Sequence, residues 1–179
     1  MRLSETSLGS KVVVIGLGII GQLVCRLAEA QGSEVIGIDP DTKRTDMSEN
    51  FYTSVEEANM TNVDSVIITA ATSSNEPIEV ATKIARNKAK IVVVGDIPLN
   101  ISRNDFYYKE LELVVSKSYG PGRYDKQYEI LGKDYPIEYV RWTENRNFEA
   151  FIRLLSQNQI HLLDLVSEEV SFDSSVSIY

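Results

Sequence analysis

The sequence predicts an α/β domain built on a doubly wound parallel sheet, and three observations predict it. Short continuous apolar runs alternate with amphipathic stretches at helical spacing. The first apolar run feeds a glycine-rich turn, Gly16-Leu17-Gly18-Ile19-Ile20-Gly21, that opens directly into a helix. The second run closes on an acid, Asp39, close to the separation a dinucleotide-binding βαβ unit requires.

The elements follow in order. Lys11 to Ile15 is the first strand, and Ile19 to Gln31 the first helix, with Ile20, Leu23, Val24, Leu27 and Ala28 on one face. Gly32 stands where a helix C′ glycine belongs. Glu34 to Ile38 is the second strand, and Asp41 to Asn50 is a polar loop or short helix. Phe51-Tyr52 is a small third strand, and Val55 to Met60 makes one or two helical turns. Asp64 to Thr69 and Lys90 to Val94 are continuous apolar runs, which suit parallel strands covered on both faces. Between them Glu76 to Lys88 reads as a helix, with Pro77 in its first turn and Ile78, Ala81, Ile84 and Ala85 on one face. Leu111, Leu113 and Val115 mark a half-covered strand nearer the sheet edge. Right-handed crossovers then give a Rossmann-type sheet of six strands in the order 3-2-1-4-5-6, with the ligand crevice between strands 1 and 4.

The character then changes. Seven of the nine tyrosines lie between Tyr107 and Tyr139, and Gly120-Pro121-Gly122 breaks any regular element. Asn147 to Gln157 is a last amphipathic helix carrying Phe148, Phe151, Ile152 and Leu155, and the tail from Asp164 to Tyr179 reads as extended. One domain is expected over 1–179: a lead-in at 1–10, a tyrosine-rich insert at 119–147, and a helix and tail at 148–179.

At 43% hydrophobic and 25% charged, the composition is that of a soluble globular chain. The net charge of −8 argues against a general nucleic-acid binder or a protein of anionic membranes. No apolar stretch approaches a membrane span, and the first residues carry no signal-peptide core. The single cysteine, Cys25, allows no intramolecular disulfide, so a reducing, cytoplasmic setting is expected.

The turn carries the chemistry. Gly16 permits the tight exit from the strand, Gly18 lets the backbone approach a pyrophosphate, and Gly21 lets the helix lie close to the strand. The helix start then presents unsatisfied N–H groups and partial positive charge to the phosphates. Asp39, with Pro40 beside it, offers a carboxylate to an adenosine ribose and repels a 2′-phosphate, which favours NAD over NADP. Lys43 and Arg44 follow closely and keep NADP possible. Zinc chemistry needs several converging Cys, His and carboxylate ligands, and this sequence has one Cys and one His. Cys25 reads as a small buried residue and His161 as a surface or packing residue, so no metal is expected.

Three stretches carry a family resemblance. Leu8 to Gly16 resembles the entry into the cofactor domain of the medium-chain dehydrogenase/reductase superfamily, the alcohol-dehydrogenase-like enzymes. Val94-Gly95-Asp96, followed by Asp105 to Leu113, resembles that superfamily's approach to its sixth strand. Ser116 to Asp125 and Tyr139 to Asn147 resemble bi-domain oxidoreductases, in which such a half is joined to a Gfo/Idh/MocA-type half, often in sugar or surface-polysaccharide metabolism. The resemblance implies an NAD(P)-dependent cofactor domain whose nicotinamide end is lined by Ala70, Ala71, Gly95 and Asp96. It also implies a reduced helix after strand 2, a small-molecule substrate, a homodimer joined at the Leu111 to Val115 edge, and an N-terminal catalytic domain lying outside this chain. On that reading the chain is a piece of a larger enzyme and does not turn over alone.

Two matters stay open at this level. Arg123, Arg141, Trp142 and Arg146 sit among the tyrosines of the insert, which either walls a substrate crevice or contacts another domain, or is a surface loop covering core edges. The glycine turn also fits a nucleotide-sensing module without catalysis, and more distantly an S-adenosylmethionine-dependent methyltransferase.

Overall fold

The computed structural model describes residues 1–177. Six strands form one sheet in the order β3-β2-β1-β4-β5-β6, and every pairing is parallel. They are β1 (Lys11–Ile15), β2 (Glu34–Ile38), β3 (Phe51–Tyr52), β4 (Val63–Ile68), β5 (Ala85–Val93) and β6 (Glu112–Val115). Parallel strands buried on both faces need no polar alternation. β1 accordingly buries Val12 and Val14 toward one layer and Val13 and Ile15 toward the other.

Helix α1 (Ile19–Ala30) covers the first layer with Val24, Cys25 and Ala28. Helix α4 (Glu76–Ile84) covers the second with Ile78, Ala81 and Ile84, beside Val55 of α3 (Val55–Ala58). Phe106 of α5 (Arg103–Lys109) packs on the same side. α1 ends as Gly32 implies. Gly32 N–H donates to Glu29 and Ser33 N–H to Ala28, and Gly32 takes φ +87°, which closes the helix without a Cβ penalty. The reduced helix after β2 is α2 (Thr42–Thr45), one turn capped by the Asp41 side chain.

Three sequence expectations are corrected. The helix expected to reach Lys88 stops at Ile84, and β5 begins at Ala85. The cause is tertiary: the Lys109 ammonium donates to the carbonyls of Thr82 (2.7 Å), Lys83 (2.9 Å) and Ala85 (2.9 Å). A cation at a helix C-terminus satisfies carbonyls that another turn would have used. The chain then bulges, with Lys88 at φ +60°, before regaining register with β4 at Lys90. Replacing Lys109 with Met should lower stability by about 1–2 kcal/mol in urea unfolding, because three carbonyls lose a charged donor.

After the single turn α6 (Lys126–Glu129), the last α-helix, α7 (Glu144–Ser156), begins three residues earlier than the expected Asn147. Its first N–H, at Glu144, donates to the Pro121 carbonyl at 3.0 Å, so the Gly-Pro-Gly turn pins its start. The tail is not extended throughout, since Leu163–Leu165 and Phe172–Ser177 form 3₁₀ turns that satisfy backbone groups locally. Residues 178 and 179, to which the extended reading ran, lie outside the described residues.

Candidate dinucleotide site

The site forms at the carboxyl edge of the sheet, where β1 and β4 lie side by side and the helices that follow them leave to opposite faces. β1 ends at Ile15, whose carbonyl accepts from Thr69 N–H (2.8 Å) and Ala70 N–H (3.1 Å). These bonds bring the end of β4 against the glycine turn. Gly16 takes φ +98°, and a Cβ there would lie 2.5 Å from Ala70 N. A Cβ on Gly21 would lie 1.8 Å from the Gly16 carbonyl oxygen, so only glycine lets α1 start this close to the strand. Thr69 Oγ1 supports that same carbonyl by donating to it at 2.5 Å. No sequence signal singled out Thr69.

Gly18 differs from its neighbours. It is the N-cap of α1, no side chain caps the helix there, and apart from its chain neighbours nothing lies within 4 Å of where its Cβ would be. A helix start free of protein caps, facing open space, is the geometry an anionic linker needs. Ile19 and Ile20 are 58% and 53% exposed beside it, so the donors at this end come from the backbone. Leu17 is different, because its side chain is fully buried in the core and its N–H is already engaged.

The group engaging it is Asp39. This acid ends β2, is 3% exposed, and takes three hydrogen bonds. Oδ2 accepts from Leu17 N–H (2.7 Å) and from Arg44 Nη1 (3.0 Å), and Oδ1 accepts from Asp41 N–H (2.9 Å). Burial pushes the carboxyl up, but the two backbone donors and the Arg44 guanidinium outweigh it and hold it below the usual carboxylate range. Pro40, next along the chain, is exposed. The acid therefore fixes the glycine turn as well as lying beside it, a role its position in the sequence does not reveal.

At the other end, Ala70 and Gly95 meet. A Cβ on Gly95 would lie 1.9 Å from the Ala70 carbonyl oxygen, and Ala71 beside it is exposed. Thr72 N–H donates to the Asp96 carbonyl at 3.0 Å, tying the loops after β4 and β5 together. The structure thus brings the glycine turn and Asp39 to one end of a crevice and places Ala70, Ala71 and Gly95 where the loops after β4 and β5 meet.

The remaining expectations fall outside the crevice. Cys25 is 1% exposed in the core, and burial together with nearby Glu29 pushes its thiol up to about 12, so it is inert as a thiolate. His161 lies on the surface and gives its backbone carbonyl to Arg26. Among the described residues no group of three or more His, Cys, Asp or Glu converges as a metal would require. No described helix is long and apolar enough to cross a membrane. The tyrosine-rich insert packs largely on itself. Tyr128 stacks on Tyr135 at 5.8 Å, and the Tyr135 hydroxyl donates to Asp125. Arg146 bonds the carbonyls of Tyr135 and Val140, and Arg141 lies over Trp142. Tyr119, Tyr124 and Tyr139 remain exposed.

Comparison with known proteins agrees with the fold. Residues 2–106 match the family model described as the D-isomer specific 2-hydroxyacid dehydrogenase, NAD binding domain. A curated relative, 2-dehydro-3-deoxy-L-galactonate 5-dehydrogenase of Pseudoalteromonas atlantica, is 26% identical over 73% of this chain, which spans 42% of that protein. A putative zinc-binding dehydrogenase from Sinorhizobium meliloti 1021, solved with NADP, is 25% identical with TM-score 0.57, over 64% of this chain and 39% of that one. A short chain alcohol dehydrogenase from E. coli CFT073, complexed with NADH, is 18% identical with TM-score 0.71. It covers 98% of this chain and 49% of its own, and at that identity it speaks for the fold.

Proposed function

Because this chain belongs to the D-isomer specific 2-hydroxyacid dehydrogenase NAD-binding domain family, and is an NAD(P)-binding domain of dehydrogenase type, we propose that it is the cofactor half of an alcohol dehydrogenase-like oxidoreductase. The carrying observation is the uncapped start of α1 at Gly18, open in front and braced behind by Asp39. On this reading the α1 backbone holds the pyrophosphate, Asp39 the adenosine ribose, and Ala70, Ala71 and Gly95 the nicotinamide end. The bound nicotinamide supplies the hydride, and the chain orients it and keeps water away. An alcohol, carbonyl or sugar-type substrate fits the relatives' names.

NAD is the preferred cofactor, with NADP admitted. Asp39 uses three of its roughly four acceptor sites internally. One ribose hydroxyl can take the fourth, and a second can take the place of Arg44 if that half-exposed side chain rotates away. The same guanidinium is then free to meet a 2′-phosphate. Arg44→Ala should therefore weaken NADPH binding about tenfold and NADH binding less than twofold, measured by fluorescence titration.

The rest of the reading concerns the larger protein. The chain spans under half of these dehydrogenases, so the catalytic acid or base and the substrate pocket belong to a partner domain outside it. The stretches 116–125 and 139–147 support the bi-domain oxidoreductase form with a Gfo/Idh/MocA-type half. We read the chain as one domain that works without zinc, in the cytoplasm, and as a homodimer through the exposed edge of β6. The test is calorimetry with NADH, NADPH and S-adenosylmethionine. NADH uptake without response to S-adenosylmethionine supports the reading, and no uptake of either pyridine nucleotide overturns it. Hydride transfer on rejoining a catalytic half separates an enzyme domain from a nucleotide sensor.

A further inference from the structure

We propose that the C-terminal segment 159–165 is a positioning strap for the adenosine side of the cofactor site, held by an Arg26–Asp164 clamp; this rests on the cofactor reading above. Arg26 lies on α1, the helix whose start forms the phosphate turn. Its side chain is 19% exposed and grips both Asp164 oxygens, Nη1 at 2.8 Å from Oδ1 and Nη2 against Oδ2. Nη1 also bonds the His161 carbonyl. A two-pronged guanidinium–carboxylate contact fixes orientation as well as distance. Ile160, 4% exposed, is the buried residue of the same segment.

The strap does not stop at α1. Across a cavity of about 430 Å³ its residues 159–161 face Met47, Ser48 and Phe51. These residues close the 41–52 segment, which carries Arg44 and runs directly on from Asp39. Met47 is linked back to the phosphate turn, since Gln22 Nε2 donates to Met47 Sδ (2.9 Å) and to the Leu17 carbonyl (3.2 Å). Leu17 in turn bonds Asp39. The 41–52 segment therefore links the adenosine-binding acid to a cavity that the strap also lines. When a ribose takes the place of Arg44, that side chain swings off Asp39, and the strap limits how far the segment carrying it can retreat into the cavity. Releasing the strap leaves the segment less ordered, so every adenosine-bearing ligand has more ordering cost to meet.

The experiment uses the full chain. Asp164→Ala should weaken binding of NADH and of ADP-ribose about fivefold, leave competition by nicotinamide mononucleotide unchanged, and speed amide exchange across 41–52. Asp164→Glu, which keeps the carboxylate, should restore part of the affinity. Arg26→Lys keeps the charge and loses the two-pronged grip, and it gives the same reading should Asp164→Ala fail to fold. Unchanged NADH and ADP-ribose affinity in a folded clamp variant, even with a lower melting temperature, overturns the strap and leaves the cofactor reading standing. A wild-type chain that takes up neither NADH nor ADP-ribose overturns both.

Discussion

Gly18→Val should remove dinucleotide binding while leaving the fold intact. Apart from its chain neighbours, nothing lies within 4 Å of the Gly18 Cβ position, and its φ of −64° is open to any residue. The added side chain stands in the space where a pyrophosphate must approach. NADH affinity should fall on the order of a hundredfold in calorimetry. The melting temperature and far-UV spectrum should match the wild type. Gly21→Val gives the opposite signature. Its Cβ would sit 1.8 Å from the Gly16 carbonyl and 2.8 Å from Thr69 Oγ1, so α1 must move away from the sheet. Stability should drop by about 3 kcal/mol or more, and binding is lost with it. Should Gly18→Val bind NADH normally, the pyrophosphate does not rest at this helix start.

Asp39→Ala should be the most damaging change to a polar residue. It leaves the Leu17 and Asp41 N–H groups without their acceptor and removes the carboxylate beneath Arg44. Leaving a buried N–H without its acceptor costs about 1–3 kcal/mol each, visible in urea unfolding. The pH dependence has a definite sign. The folded carboxyl is held below its ordinary range, so the unfolded chain binds the proton more readily than the folded one. Its stabilising contribution is complete above the ordinary carboxylate range and is lost as pH falls through that range toward the lower folded value. Asp39→Asn should flatten this part of the stability profile and weaken NADH binding. A profile with the same acid limb as wild type would show that Asp39 does not set it.

The strands show which parts of this fold were legible in the residues. β1 and β2 stand within the expected bounds because runs rich in Val and Ile that close on a glycine or an acid have few alternatives, and Phe51–Tyr52 forms the small β3 as expected. The glycine turn was equally legible, since each glycine answers a local steric demand. What the residues alone could not place depends on distant partners. α4 stops at Ile84 because Lys109, 25 positions further on, takes its carbonyls. α7 starts at Glu144 because Pro121, in the insert, accepts its first N–H. Periodicity within a segment carries no record of such contacts.

The same division holds at the site. A strand delivering a glycine turn into a helix start, with an acid one strand away, is readable from the residues because these are contacts between neighbours in a βαβ unit. Packing of the whole chain buries Asp39, bonds it to the turn through Leu17, and covers it with Arg44. It alone brought the strap at 159–165 across α1 to face the segment behind the acid. Short-range geometry follows from local sterics and hydrogen bonding. The occupancy of a carboxylate's lone pairs depends on which donors the folded chain brings within about 3 Å of it, and that is settled only when the layers pack.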